Sequence, residues 1–134
     1  MEKSFARNIN ALDDLFSFLA KFVNEHQLDN SVAFALNLVV EELFVNMVKY
    51  HCDNPSPISV SLNKKDGKLV LELIDFNVDP FDITKTDAFD PNQPLEQRKA
   101  GGMGIHLVKT VMDDVLYHYD EHERISKIQL IKNI

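Results

Sequence analysis

Glu42 and Asn46, in the stretch VVEELFVNMVKYH, stand four residues apart, so on a helix they share one face. That face lies beside Ala35 and Val39, at the edge of an apolar stripe. Polar groups pressed against apolar neighbours need partners, because leaving them unpaired away from water is costly. A glutamate so placed can serve as a general base, and an asparagine carbonyl oxygen is a hard ligand suited to Mg2+. Asp75 follows the alternating stretch KLVLELI, where a strand end presents it rigidly. A carboxylate there can accept a hydrogen bond from an exocyclic amine such as that of adenine. In AGGMGIHLVKTVMDD, Gly101, Gly102 and Gly104, with Met103 between, open onto a helical pattern. Backbone N–H groups freed by such glycines can converge on a phosphate, where the helix dipole favours negative charge. Arg98 and Lys99, just upstream, supply charge for a terminal phosphate.

Each of these signals has a plainer reading when taken alone. Glu42 and Asn46 suit a solvated glutamate and a locally bonded amide, Asp75 a strand-ending turn, and the glycines a permissive loop before a helix. The glycine run lacks the Lys-Ser/Thr of a P-loop and the Gly-x-Gly-x-x-Gly spacing of a dinucleotide fingerprint. His118 and His122 imitate metal-ligand spacing, but they fall in a strand and turn, where that spacing does not give one face.

The elements that must position these residues are readable from periodicity. Ile9, Leu12, Leu15, Phe16, Leu19, Phe22 and Val23 recur at helical spacing and predict an amphipathic helix over 9–23. Asp29 or Asn30 is placed to cap a second helix over about 31–50, apolar nearly all round and therefore expected to be buried on two sides. Ile58, Val60 and Leu62 alternate with serines, KKDG turns the chain, and KLVLELI alternates again, which predicts a hairpin. Residues 76–100 read as one long polar loop, with Phe76, Phe81 and Phe89 as anchors for it. A third helix is expected over about 102–113, then strands over 115–119 and 125–131 around the turn DEHER. Tight turns between consecutive strands imply an α+β two-layer sandwich: a mixed, mostly antiparallel sheet with helices on one face.

A chain of 134 residues suits a single domain spanning 1–134. Its formal net charge of −7 argues against a surface built to grip nucleic acid or an anionic membrane. Cys52 is the only cysteine, so no internal disulfide can form. The charged N-terminus is followed by no apolar run of the signal-peptide kind, and no uninterrupted apolar stretch reaches the length of a membrane span. A soluble, cytoplasmic protein is expected.

The order of these signals is more specific than any one of them. Glu-x-x-x-Asn on a buried helix, Asp at a strand end, a long polar loop and Gly-Gly-Met-Gly opening a helix resemble the Bergerat ATP-binding fold of histidine-kinase-like ATPases. Within that superfamily VVEELFVNMVKY is similar to the Asn-box helix, and PLEQRKAGGMGIHLVKTVMDDVLYH to the glycine-rich lid, of the anti-sigma factor serine/threonine kinases. The resemblance implies that Glu42 is the catalytic base, Asn46 the Mg2+ ligand and Asp75 the acceptor of the adenine amine. Gly101, Gly102, Met103 and Gly104 would form the lid over the triphosphate of ATP. Asn77 stands where the family pattern Asp-x-Gly has glycine, and asparagine tolerates the left-handed backbone such a position needs. The implied activity is transfer of phosphate from Mg-ATP to a serine of an antagonist protein. The implied partners are that anti-anti-sigma protein and a sigma factor held in a mutually exclusive complex, with a homodimer as the implied assembly. The alternative is a regulatory binding module of the same fold whose ATP binding is weak or lost.

Overall fold

In a computed structural model, residues 1–51, 53–80 and 102–134 are described, apart from the side chains of 102–105. The chain begins with a four-residue strand, β1 (Glu2–Phe5), and a short 3-10 turn at Ile9–Ala11. Two helices follow, α1 (Leu12–Glu25) and α2 (Asn30–Tyr50), then the hairpin strands β2 (Ile58–Lys65) and β3 (Lys68–Phe76). After the long connection come α3 (Gly102–Val111), β4 (Asp114–Asp120) and β5 (Ile125–Asn133).

The strands form one sheet in the order β1-β2-β3-β5-β4, and every neighbouring pair is antiparallel. The expected mixed sheet is therefore antiparallel throughout the described residues. β1 has no counterpart in the sequence reading, because four residues with one buried apolar side chain, Phe5, carry no alternation to detect. Pairing with β2 makes it a strand.

The hairpin has the turn its sequence asks for. Asp66 and Gly67 have φ of 53° and 73°, the left-handed pair that matches a two-residue turn to the twist of its strands. Period-2 alternation then sends Leu69, Leu71 and Leu73 of β3 to the same face as Ile58, Val60 and Leu62 of β2. Ile128 and Leu130 of β5 continue that face, and all three helices cover it.

Helix α1 buries Leu15, Phe18, Leu19 and Phe22. This corrects the expected stripe at two positions: Phe18 is buried, while Ile9, held in the 3-10 turn, is 53% exposed. Ile9 precedes α1 in 3-10 geometry and so leaves the stripe, whereas Phe18, three residues after Leu15 and four before Phe22, shares its α-helical face. Helix α2 is capped by Asp29, whose carboxylate accepts from the Val32 N–H at 3.0 Å. The Ser31 hydroxyl, and after it that N–H, hold the Asp29 carboxyl below its ordinary range.

By length and mean hydropathy (1.6), α2 is apolar enough to cross a membrane, which a search for an uninterrupted apolar run does not reveal. Its apolar surface is spent inside the fold: Leu36, Val39, Val40, Leu43 and Phe44 are fully buried in the core shared with α1 and the sheet. Burial on two sides holds, with Phe34, 69% exposed, as the exception. Each such Leu, Val or Phe contributes roughly 1.5–3 kcal/mol by leaving water. The core thus fixes the rotation of α2, and with it the direction of its few polar side chains.

Candidate functional site

The C-terminal half of α2 carries two of those polar side chains. Asn46 is only 8% exposed, one helical turn beyond the half-buried Glu42. Its Nδ2 donates to Glu42 Oε1 at 3.3 Å. Because the amide is planar, Oδ1 then faces away from Glu42, an orientation that suits a hard cation. The sequence-derived pair is brought together as its spacing requires.

Asp75 is placed differently from expectation. It is not a loop residue after the strand but the penultimate residue of β3, paired in register with Ile58 and Ser126. Alternation turns it to the helix-covered face, where it is 3% exposed. A carboxylate buried this deeply needs a partner, and Arg7 supplies one. Arg7 Nη2 pairs with Asp75 Oδ1, while Nη1 reaches Oδ2 at 3.5 Å. The same guanidinium donates from Nε to the Ser56 carbonyl at 3.2 Å and from Nη1 to the Met47 carbonyl at 3.1 Å. Arg7 therefore ties the end of β3 to the loop before β2 and to the last turn of α2, whose carbonyls attract a cation.

Asn46 and Asp75 line one cavity of about 30 Å³, together with Met47, Tyr50, Tyr117 and Ser126. Across its floor the hydroxyls of Tyr117 and Ser126 are 3.1 Å apart. Three of the polar groups here, Arg7, Tyr117 and Ser126, were not found by sequence reasoning. Ser126 carried a signal: in ISKIQLI it shares the inward face with Ile128 and Leu130, and a serine there needs a reason. Arg7 carried none, since nothing local marks the cation in SFARN as buried.

This arrangement can be compared with known proteins. The sequence matches the histidine kinase-like ATPase domain over residues 5–132. The chain belongs to that family. It is also similar to the serine-protein kinases RsbW of Listeria innocua (32% identical over 92 residues) and Listeria monocytogenes (30% over 92 residues); each match covers 64% of this chain and 58% of the relative. RsbW of Bacillus licheniformis is 26% identical over 102 residues, 72% of this chain and 63% of that protein. The chain thus spans about three fifths of the length of these curated relatives. Among solved structures, the SiaB-SiaC complex from Pseudomonas aeruginosa contains a chain that superposes with a TM-score of 0.68 at 14% identity, covering all of this chain and 89% of that one. That likeness supports the α+β fold.

For a histidine kinase-like ATPase domain, the remaining sequence-derived residues are placed as follows. Asn77 has φ of 57°, the left-handed conformation for which a glycine would be chosen. Its Nδ2 donates to Ser56 Oγ at 2.6 Å, and its carbonyl accepts from Asn54 Nδ2 at 3.2 Å. The side chain turns toward the 54–56 loop and is not among the residues lining the cavity. Gly102, Met103 and Gly104 form the opening turn of α3, which packs on α2 through a core that includes Val108 and Met112. Arg98, Lys99 and Gly101 lie outside the described residues, as do Phe81 and Phe89. Phe76, expected as a loop anchor, is the last residue of β3. The His118–His122 pair is split between β4 and a turn in which Asp120 accepts from the N–H groups of His122 and Glu123.

Proposed function

We propose that this domain is a Mg-ATP-dependent serine/threonine kinase acting as an anti-sigma regulatory factor. One observation carries the reading: Asn46, oriented by Glu42, and Asp75 line the same cavity although they lie on different elements. The site residues act as the resemblance implies. Asp75 accepts the exocyclic amine of adenine, and the α3 N-terminus with its glycines faces the phosphates. Asn46 Oδ1 is the protein ligand for Mg2+, which neutralises charge on the phosphate oxygens when bound.

In the transfer, a partner's serine Oγ attacks the γ-phosphorus of ATP. The bond from that phosphorus to the bridging oxygen breaks, and ADP leaves with the electron pair. Glu42 takes the serine proton. Most of the acceleration comes from holding the two reactants in line and from charges fixed in place. The relatives named serine-protein kinase support the activity, and the neighbouring structure, a complex with a second protein, supports a protein partner. The antagonist protein is the phosphate acceptor, and a sigma factor is the competing partner.

A second reading is a regulatory binding module of the same fold with weak or lost ATP binding. The small cavity between Asn46 and Asp75, about 30 Å³ or room for roughly two or three waters, is the observation that favours it. Calorimetric titration with Mg-ATP separates the two. Heat of binding at millimolar nucleotide or below is the result expected of the kinase. A flat titration leaves only the binding module.

A further inference from the structure

Arg7 lies in no motif and has no place in the transfer just described, yet its guanidinium is bonded to three partners beside the cavity. Its bonds to Asp75, Ser56 and Met47 leave the side chain 2% exposed. We propose that Arg7 is a positioning residue that sets purine selectivity, holding Asp75 so that it reads a 6-amino group and rejects a 6-oxo group. The inference rests on Asp75 being the adenine acceptor.

The geometry separates the two sides of Asp75. Arg7 follows β1 and takes its other acceptors from the loop before β2 and from α2, so it reaches the carboxylate from the β1–β2 side of the sheet. The cavity is lined by Ser126 of β5 and Tyr117 of β4 and by Asn46 and Met47 of α2, and Arg7 is not among its lining residues. A carboxylate offers about four lone-pair sites, and the guanidinium fork takes one on each oxygen. The others remain for a donor in the cavity.

The purine edge meets Asp75 from the cavity that it lines with Asn46. Paired with the guanidinium, Asp75 presents acceptors only. It takes a hydrogen from the amine of adenine and meets the carbonyl oxygen of hypoxanthine with repulsion. Without Arg7 the carboxylate is no longer clamped and can turn its oxygens away from that carbonyl. Discrimination then falls even where overall affinity does not.

The test compares ATP with ITP, which differs in bearing the 6-oxo group, by calorimetry on the wild-type chain, Arg7→Met and Arg7→Lys. The wild type should prefer ATP, and the preference should fall by about tenfold or more in Arg7→Met and by less in Arg7→Lys. A merely structural role weakens both nucleotides equally and leaves the ratio unchanged, which would overturn the proposal. If Arg7→Met does not fold, the ratio in Arg7→Lys decides. A second measurement needs no variant: the Arg7 Nε–H resonance of the wild type should stay protected from exchange when Mg-ATP is added. Its release on binding would mean that adenine displaces Arg7, and would equally overturn it. Absence of Mg-ATP binding by the wild type would sink this inference and the kinase reading together. Binding with an unchanged ratio would sink the role of Arg7 alone.

Discussion

Arg7 and Asp75 are 68 positions apart in sequence and form a buried ion pair whose side chains are 2% and 4% exposed. The pair joins the N-terminal segment to the centre of the sheet at the edge of the candidate nucleotide site. Its energetics follow from burial: removing one partner strands the other charge where water cannot reach it. Asp75→Ala should therefore cost about 3–5 kcal/mol of stability in urea unfolding. Replacing both charges, as in Arg7→Met with Asp75→Leu, should cost less than Asp75→Ala alone. A double variant at least as unstable as that single one would contradict this account.

Glu42→Gln keeps the size of the side chain and an acceptor oxygen for the Asn46 amide but removes the base. Phosphoryl transfer to a serine of the partner should drop by about 10²–10⁴-fold, with ATP affinity changed little. Transfer rates measured with γ-labelled ATP check this, and retained transfer would show that another group takes the proton.

Asn46→Ala removes the proposed Mg2+ ligand and, among the described residues, the side-chain hydrogen bond to Glu42. ATP affinity measured with Mg2+ should fall by about tenfold or more, whereas affinity measured in EDTA should change little. Equal losses in both conditions would place Asn46 outside the metal site.

Asp29 makes the start of α2 acid-sensitive. Its carboxyl is held below its ordinary value of 3.8, chiefly by the Ser31 hydroxyl and then by the Val32 N–H. A depressed folded-state pKa means the stabilisation is present above the unfolded value and disappears as pH falls through the folded one. Urea midpoints should therefore decline more steeply below about pH 4 in the wild type than in Asp29→Asn, which still caps but does not titrate there. Parallel acid profiles would rule out this role.

Gly67 pairs with Asp66 in the left-handed turn between β2 and β3, at φ of 73°. An added Cβ would meet nothing nearer than the Ile134 carbonyl oxygen at 3.7 Å, so the cost of Gly67→Ala is conformational and not steric. It should lower stability by about 1–2 kcal/mol without altering the nucleotide site 
. Thermal unfolding checks the loss, and an unchanged ATP titration checks its confinement to the turn.

Local signals carried much of this protein. The capping of α2 by Asp29, the two-residue turn at Asp66–Gly67 and the inward faces of β2 and β3 all depend on residues near each other in sequence. The Glu42–Asn46 pair was legible for the same reason, because helical spacing alone makes them neighbours. β1 and the partner of Asp75 were not legible. A four-residue edge strand exists only because β2 offers it hydrogen bonds, and Ile9 leaves the core because it precedes α1 in a 3-10 turn. Arg7 reads as a surface cation until the fold buries it between three elements. Periodicity specifies which face of a helix or strand turns inward, but the charge that meets a buried carboxylate is chosen by the long-range packing that brings their elements together.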